Sequence, residues 1–249
     1  MLRFEHVSRT YGSRLAVDDL DLEIKAGELF ALLGHNGAGK TTTIKMLVGL
    51  LRPNRGSITV GAYDAVASPR EVSRLIGYVP DQPFLYDKLS AREFLHFVAD
   101  MYGLSATVSG EAVAREIERF RLTEFADRLA ESYSHGMRQR TVFAAAMIHD
   151  PPVLVVDEPM VGLDPQSIKL VKDLMQQYVR SGRTVLMSTH TLGVAEQIAD
   201  RVGVMKNGKL IFNGPVSELS EAVKGTDGSL EAMYLAMMEQ LEGPEPTAE

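Results

Sequence analysis

A glycine-rich segment that joins an apolar run to a helical pattern constrains this chain more than any other stretch. Gly34 and the triplet Gly39-Lys40-Thr41 fit the spacing G-x-x-x-x-G-K-[ST], and the apolar run 29–33 precedes them as a predicted buried strand. Beyond the loop, apolar residues recur at i, i+3, i+4 and i+7: Ile44, Leu47, Val48 and Leu51. This periodicity predicts an amphipathic helix that begins at the loop, so the whole segment is predicted to bind phosphate.

The residue types of the loop suit a nucleotide. Glycines allow backbone N–H groups to approach phosphate oxygens, and the start of a helix favours negative charge. Lys40 supplies a positive charge for the β- and γ-phosphates, and the Thr41 hydroxyl is a candidate ligand of Mg²⁺. The predicted nucleotide-binding residues of the loop are Gly34, His35, Asn36, Gly37, Ala38, Gly39, Lys40, Thr41 and Thr42.

Composition limits the other classes of function. With 249 residues, 45% of them hydrophobic, the chain can bury the core of one large domain or of a domain with an inserted lobe. Cysteine is absent, which excludes disulfides and thiolate metal sites. The net charge of −7 argues against nucleic acid as the main partner. The first residues are no signal peptide and no apolar stretch approaches the ~20 residues of a membrane span, so a soluble chain is expected.

The N-terminal part of the chain has strand patterns and the middle part has helical ones. The predicted strands cover residues 2–7, 17–24 and 57–60. Tyr11 is predicted in the loop between the first two strands, where it either stacks on a nucleobase or is a partly buried surface residue. From Ser90 to about Ala130, helical patterns in 92–102 and 111–120 occur without a clear strand between them, which predicts an inserted helical lobe.

The C-terminal half alternates strands with helices and places polar residues at strand ends. The predicted elements are a helix over 135–148, buried strands over 153–156 and 184–187, and a hairpin over 202–212 with an Asn207-Gly208 turn. Asp157 and Glu158 follow one buried strand, and His190 follows the other. Ligands of an open α/β sheet bind at the carboxyl ends of its strands, so these side chains are predicted to lie near the phosphates.

These three side chains predict that the nucleotide is cleaved as well as bound. Asp157 is a candidate Mg²⁺ ligand, directly or through water, while Glu158 can polarise a water molecule for attack on the γ-phosphate. His190 can donate a hydrogen bond to the γ-phosphate or orient the water. The sequence therefore predicts a nucleotide hydrolase.

Taken in order, these motifs resemble the ATP-binding subunits of ABC transporters. The series is a phosphate loop, a helical insert, Ser-x-Gly at a helix start, Asp-Glu, Gly-Leu-Asp and Thr-His, and it covers nearly all the chain from Tyr11 to the hairpin. The resemblance implies an α/β P-loop NTPase with a mainly parallel sheet core, an N-terminal antiparallel β subdomain and an inserted α-helical lobe. It implies a single ABC-type ATPase domain over residues 1–242, with the lobe at about 90–150. The remaining residues 243–249, rich in Pro and Glu, are predicted to form a disordered tail.

The resemblance also assigns roles to single residues. Tyr11 resembles the base-stacking aromatic residue, residues 34–42 the Walker A loop, and Asp157 and Glu158 the Walker B aspartate and the catalytic glutamate. Asp164 resembles the D-loop residue that meets the nucleotide, and His190 the switch histidine.

The segment Tyr133–Met137 occupies the place of the family signature Leu-Ser-Gly-Gly-Gln and differs from it at three of five positions. Ser134 and Gly136, the residues that meet the γ-phosphate, are retained. The form Tyr-Ser-x-Gly-Met-x-Gln-Arg is similar to exporter-type members whose membrane subunits are separate chains, as is Ser229-Leu230-Glu231.

A second departure concerns the family's Q-loop glutamine, which touches Mg²⁺ and signals to the membrane subunit. Asp81 stands at its expected place after the strand 76–80, and Gln82 follows one residue later. Either residue offers an oxygen ligand for a hard cation, so both are candidates. The apolar residues just beyond, Phe84, Leu85 and Tyr86, either pack in the core or form the edge of a pocket for a membrane-subunit helix.

The function that these features predict is an ATPase that powers an ABC transporter with ATP and Mg²⁺. Its expected partners are a second copy, or a homologous subunit, in a nucleotide-sandwich dimer, and transmembrane permease subunits, with no nucleic acid. The expected location is the cytoplasmic face of the membrane. The alternatives are a soluble ABC-type ATPase acting on nucleic acid or ribosomes, and a regulatory module without turnover; intact Glu158 and His190 argue against the latter.

Overall fold

The computed structural model describes residues 1–221. The predicted tail 243–249 and the segment Ser229-Leu230-Glu231 lie outside the described residues. The assignment of a single domain over residues 1–242 reaches beyond them as well and stays a prediction.

The described chain alternates strands and helices. The strands are β1 (Leu2–Tyr11), β2 (Arg14–Ile24), β3 (Leu29–Leu33), β4 (Arg55–Val60), β5 (Tyr63–Asp64), β6 (Ile76–Val79), β7 (Val153–Asp157), β8 (Thr184–Thr189), β9 (Arg201–Lys206) and β10 (Lys209–Pro215). The helices are α1 (Lys40–Leu47), α2 (Pro69–Leu75), α3 (Ala91–Met101), α4 (Ala106–Arg119), α5 (His135–Met147), α6 (Pro165–Arg180), α7 (Leu192–Ile198) and α8 (Val216–Glu221).

The N-terminal sheet is antiparallel and has the order β2-β1-β4-β5. Alternate side chains of β2, among them Leu20, Leu22 and Ile24, are buried, as expected for a sheet with one face in the core. The strands predicted over 2–7, 17–24 and 57–60 are present, but β1 runs further than predicted. Tyr11 is therefore the last residue of β1 rather than a loop residue, because the hairpin turn is only two residues long.

The second sheet has the order β10-β9-β3-β8-β7-β6 and is parallel except for the edge strand β10. All five residues of β7 are buried, which explains its continuous apolar run. The predicted hairpin joins β9 and β10, and its turn residues Asn207 and Gly208 have φ of 48° and 83°. Positive φ at both turn positions is the conformation that an Asn-Gly pair favours.

Helix α1 is shorter than the sequence pattern predicted. Ile44 and Leu47 are buried as expected, but α1 ends at Leu47 and Leu51 lies outside it. Gly49 takes a left-handed φ of 79°, and the Leu51 amide donates back to the Lys45 carbonyl across the helix end. This glycine C-terminal motif stops the helix before the apolar periodicity does.

The predicted inserted lobe consists of α3 and α4, which pack on α5. Helix α3 begins at a capping box in which Ser90 and Glu93 exchange side-chain and backbone hydrogen bonds. Helix α4 begins at Ala106, before the predicted residue 111. The sequence pattern does not reveal this first turn, because the turn is exposed and carries no apolar periodicity. Phe120, just beyond α4, stacks on Phe143 of α5 with ring centroids 5.9 Å apart.

Strand β3 separates two apolar cores. Leu29, Ala31 and Leu33 belong to the core that includes the helical lobe. Phe30 and Leu32 belong to the core beneath the N-terminal sheet. The loop that follows β3 is therefore anchored from both sides of the sheet.

No helix among the described residues is both long enough and apolar enough to span a bilayer.

Candidate nucleotide-binding site

The strand register brings the predicted phosphate loop and the polar strand ends to one edge of the parallel sheet. Leu33, the last residue of β3, pairs with Thr189, the last residue of β8, and Asp157 of β7 pairs with Ser188 of β8. The loop after β3, the carboxylates after β7 and the histidine after β8 thus leave the sheet side by side. This is the edge where open α/β sheets bind ligands.

Two glycines of the loop occupy positions where any side chain would collide with backbone. A Cβ at Gly34 would lie 2.7 Å from the Met205 carbonyl oxygen. A Cβ at Gly39, whose φ is 116°, would lie 2.6 Å from the Ala16 carbonyl oxygen. The motif glycines are therefore required by the close approach of β9 and β2 as well as by the phosphate.

The turn of the β9–β10 hairpin supports this loop directly. The Gly208 amide donates to the Ala38 carbonyl at 2.9 Å, and the Gly208 carbonyl accepts from the Asp18 amide at 2.9 Å. One residue thus connects the phosphate loop, the hairpin and β2 through backbone hydrogen bonds.

Lys40 is held in the loop by carbonyl groups and by a carboxylate. Its side chain is 5% exposed, and its Nζ donates to the Gly34 carbonyl at 2.6 Å and to the His35 carbonyl at 3.2 Å. The same Nζ lies 3.2 Å from Glu158 Oε1. The cation that the motif assigns to the phosphates is therefore paired with the predicted catalytic carboxylate in this structure.

A cavity of about 440 Å³ opens beside the loop. It is lined by Tyr11, Arg14, Ala16, Asn36, Gly37, Gly39, Lys40, Thr41, Thr42, Asp81 and Glu158. Its volume lies in the range of about 300–1,000 Å³ typical of small-ligand sites. Tyr11 is 44% exposed at the cavity, with the Arg9 guanidinium 5.0 Å from its ring centroid.

The cavity includes Arg14, which the sequence analysis did not select. Its guanidinium donates to the Gly37 carbonyl at 3.3 Å. No motif contains this arginine, and only the hairpin that turns β2 back along β1 brings it to the loop. Of the predicted loop residues, Gly34, His35 and Ala38 shape the loop without lining the cavity.

Asp157 is fully buried beside the start of α1. Its Oδ1 accepts hydrogen bonds from Thr41 Oγ1 at 3.3 Å and from Ser188 Oγ, whereas its buried Oδ2 has no hydrogen-bond partner. Burial raises the pKa of Asp157, and the nearby Asp81 and Glu158 carboxylates raise it further, against the two hydroxyl donors. A buried carboxylate with a free oxygen next to a threonine hydroxyl fits a hard cation such as Mg²⁺.

The structure distinguishes the two candidates for the Q-loop position by their location. Asp81 lines the cavity and is close enough to Asp157 to raise the pKa of that carboxyl. Gln82 is exposed and is not among the residues that line the cavity. Of the two candidates, Asp81 is therefore the one that lines the cavity and acts electrostatically on Asp157, whose Oδ1 contacts Thr41.

Glu158 is held between a lysine and a histidine in an unusual backbone conformation. Its φ is 49°, in the left-handed region, and its backbone N donates to Ser188 Oγ at 3.0 Å. Its Oε2 lies 2.9 Å from His190 Nδ1, and Oε1 faces Lys40. His190 is half exposed and meets the site through this contact. A carboxylate, the lysine ammonium group and an imidazole therefore lie in contact beside the phosphate loop.

Ser134, Gly136 and Asp164 lie together, and none of them lines the cavity. Ser134 caps α5 by accepting from the Met137 amide at 3.3 Å, and Asp164 caps α6 by accepting from the Gln166 and Ser167 amides, each at 3.0 Å. A Cβ at Gly136 would lie 3.6 Å from Asp164 Oδ2. The hydrogen bonds from the Ser167 hydroxyl and amide lower the pKa of Asp164 and keep it anionic.

The unusual residues of the signature segment have structural partners in this chain. Tyr133 is buried, and its hydroxyl accepts from the Ala91 amide at 3.0 Å and lies 2.9 Å from the Phe125 carbonyl oxygen. His135 Nε2 lies 3.1 Å from the Val161 carbonyl oxygen. The tyrosine thus connects the start of α5 to α3, and the histidine connects it to the loop before α6.

The chain is similar to known proteins over most of its length. The family model described as ABC transporter matches residues 17–161. The linearmycin resistance ATP-binding protein LnrL of Bacillus subtilis is 37% identical over 225 residues, which are 90% of this chain and 72% of that protein.

Two solved structures have the same fold. A structure described as the ATP binding subunit of an ABC transporter is 31% identical, with a TM-score of 0.88, and the match covers 96% of this chain and 99% of that one. The dimeric structure of MJ0796, described as a bacterial ABC transporter cassette, is 25% identical with a TM-score of 0.78, and the match covers 87% of this chain and 99% of that one.

Proposed function

This chain belongs to the ABC transporter family and is one of its ATP-hydrolysing, ATP-binding subunits; on this premise we propose how its own residues bind MgATP, cleave it and pass the result to membrane subunits. The observation that carries the proposal is the contact of Glu158 with both Lys40 and His190 beside the phosphate loop. The predicted fold class is confirmed by the same matches.

Nucleotide binding is assigned to the cavity beside the loop. Tyr11 stacks on the base, and the amides at the start of α1 together with Lys40 take the phosphates. Thr41, Asp157 and Asp81 are the residues that hold Mg²⁺, which supplies neutralisation of the phosphate charge when it is bound. Because Lys40 is paired with Glu158 in this structure, the γ-phosphate competes for the lysine and releases the carboxylate.

Cleavage is assigned to Glu158 and His190. Glu158, once separated from Lys40, accepts the proton of the attacking water as general base. The His190 imidazole, in hydrogen-bond contact with Glu158 Oε2, orients that carboxylate and approaches the γ-phosphate from the same edge of the sheet. The Glu158 side chain contacts Lys40 of the loop from a residue with a left-handed backbone conformation.

A second copy of the chain, or a homologous subunit, completes each site. Ser134, Gly136 and Asp164 form a cluster that lies outside the cavity of their own chain, so they are available to a partner's phosphate loop. A two-fold dimer applies this contact twice and encloses two nucleotides. The match to a structure described as a dimeric cassette supports this arrangement.

Membrane subunits dock on an aromatic patch formed by Phe84, Tyr86 and Phe97. The ring of Tyr86 makes edge-to-face contacts with Phe84 at 5.5 Å and with Phe97 at 5.8 Å, and Phe84 is 68% exposed. Leu85 is buried, as expected for a residue that packs in the core. Its neighbours Phe84 and Tyr86 are exposed, as expected for the edge of a docking pocket. Exposed aromatic residues next to Asp81 suit a helix of a permease subunit on the cytoplasmic face of a membrane.

The catalytic part of the proposal is tested with Glu158→Gln, which keeps the shape of the side chain and removes its charge. Loss of a general base is expected to lower turnover by about 10² to 10⁴, while MgATP affinity stays close to that of the wild type. Phosphate release and fluorescent-nucleotide binding are measured on the same preparation. Hydrolysis at the wild-type rate would remove Glu158 from the mechanism.

A further inference from the structure

The hydroxyl of Ser188 lies between the two carboxylate residues of the site. Strand β8 places it directly opposite Asp157 in the ladder with β7. Its Oγ donates to Asp157 Oδ1 and accepts a hydrogen bond from the Glu158 backbone amide at 3.0 Å. The side chain is fully buried, and one hydroxyl can serve both contacts because it has one proton and two lone pairs.

Both partners of Ser188 need support at this position. Glu158 has a left-handed φ of 49°, which a residue with a side chain rarely adopts unless surrounding contacts hold it. Asp157 has one oxygen fixed by hydroxyl donors and one without a partner, so the direction of the free oxygen depends on those donors. Ser188 is the residue that contacts both.

We propose that Ser188 is a positioning residue for ATP hydrolysis, acting through Asp157 and Glu158. Its hydroxyl fixes the Asp157 carboxylate so that Oδ2 is presented to the cation site, and it fixes the peptide that aims Glu158 at the phosphate loop. The proposal rests on the role proposed above for Glu158. It assigns to the strand before His190 a task that is separate from that of the histidine.

The first test compares Ser188→Ala with Thr184→Val. Both remove a buried hydroxyl from β8, but Thr184 lies at the opposite end of the strand, where it bonds the Gly27 amide and the Lys25 carbonyl. Loss of a residue that orients metal-site and catalytic groups is expected to lower kcat by about 10- to 100-fold. The KM for MgATP is expected to rise by at most about tenfold, the part of the affinity that depends on Mg²⁺, since the loop and Lys40 are untouched. Thr184→Val is expected to keep the wild-type kcat, and circular dichroism confirms that both variants are folded.

The second test measures binding without turnover. Fluorescent ADP is titrated into the wild type and Ser188→Ala, with and without Mg²⁺. Affinity without Mg²⁺ is expected to be unchanged, whereas the gain in affinity from Mg²⁺ is expected to fall about tenfold because Asp157 is no longer held in position. A general loss of stability would weaken both titrations alike.

The outcomes separate this inference from the proposal on which it rests. A Ser188→Ala protein with wild-type kcat and wild-type gain from Mg²⁺ overturns the inference, while a slow Glu158→Gln protein still supports the role of Glu158. In the Glu158→Gln background, Ser188→Ala is expected to slow turnover less than in the wild type, because only the part exerted through Asp157 remains, and a full additional loss also overturns the inference. If Ser188→Ala is unfolded, Ser188→Cys fills the site with a weaker donor; wild-type values for that variant overturn the inference, and a reduced kcat supports it.

Discussion

At the scale of single residues, Asp81 and Gln82 illustrate how one position in a loop decides contact with the site. Asp81 lines the cavity, whereas Gln82 is exposed and is not among the residues that line it. We expect Asp81→Ala to raise the Mg²⁺ concentration that gives half-maximal ATPase activity by about tenfold, as is typical when an oxygen group of a metal site is lost. Gln82→Ala is the matched control and is expected to keep the wild-type value. If Gln82→Ala raised the required Mg²⁺ concentration and Asp81→Ala did not, the Q-loop role would belong to Gln82.

Motif spacing predicts the positions of Lys40 and Thr41 because a strand, a tight loop and a helix leave little freedom between them. Asp157, which lies far away in the sequence, was expected near the loop because the carboxyl ends of parallel strands share one edge of the sheet, and its Oδ1 lies 3.3 Å from Thr41 Oγ1. The sequence did not predict Arg14 or Ser188. Their contacts depend on the hairpin β1–β2 and on the register of β8 against β7, and neither can be derived from local patterns. The pairing of Lys40 with Glu158 was missed for the same reason.

At the scale of elements, the aromatic patch allows docking to be tested without a change in catalysis. Phe84→Glu introduces a charge into the exposed patch, and aromatic anchors of this kind contribute about 2 kcal/mol or more to association. We expect the tagged variant to be depleted from the membrane fraction of its native cells while the purified protein keeps wild-type ATPase activity. Val108→Glu, at another exposed apolar site, on α4, is the control. Equal membrane retention of the two variants would contradict the docking proposal.

A partly buried histidine, His149, where the ends of α3 and α5 meet, predicts that the free energy of unfolding falls in acid. The His149 ring, just beyond α5, stacks on Tyr102 at 3.7 Å, and burial lowers its pKa from 6.5 to about 4. Between these two pH values the unfolded chain binds a proton that the folded chain does not, so stability falls as pH decreases through this window. The contribution is at most about 3 kcal/mol.

This contribution is measured by urea denaturation at a series of pH values. His149→Phe keeps the stacked ring and is expected to make the free energy of unfolding nearly independent of pH between 6.5 and 4. His6→Gln, at an exposed site, is expected to keep the fall of the unfolding free energy in this acid limb of the pH curve. An unchanged acid limb in His149→Phe would assign the acid sensitivity to other groups.

Element types were predicted better than element ends. Buried strands such as β7 and β8 have continuous apolar runs, and the Asn-Gly hairpin has its own turn chemistry, so these were found from the sequence. The ends of α1 and α4 were displaced because Gly49 stops one helix and the exposed first turn of the other has no apolar face. Short β5 is defined only by its pairing with β4, which local patterns do not reveal.

At the scale of the whole molecule, Ser134, Gly136 and Asp164 lie outside the cavity of their own chain, and we propose that they complete the site of a partner. We expect Glu158→Gln to form an ATP-dependent dimer, because uncleaved nucleotide stays bound and offers its γ-phosphate to the Ser134 and Gly136 loop of the partner. Light scattering with MgATP measures the mass. Adding Ser134→Arg places a bulky side chain at that contact and is expected to return the protein to monomers. Slow hydrolysis without a dimer would leave the catalytic assignment intact and refute the shared site.

The hydrogen bonds of Gly208 have a consequence for the order in which the protein is made. The phosphate loop is translated early, but its backbone is complete only when the Gly208 amide reaches Ala38 and β9 pairs with β3. A nascent chain that ends before residue 208 lacks this support, although it already carries every nucleotide-binding motif. During synthesis, the phosphate loop therefore lacks part of its backbone support until β9 and the turn that follows it have been made.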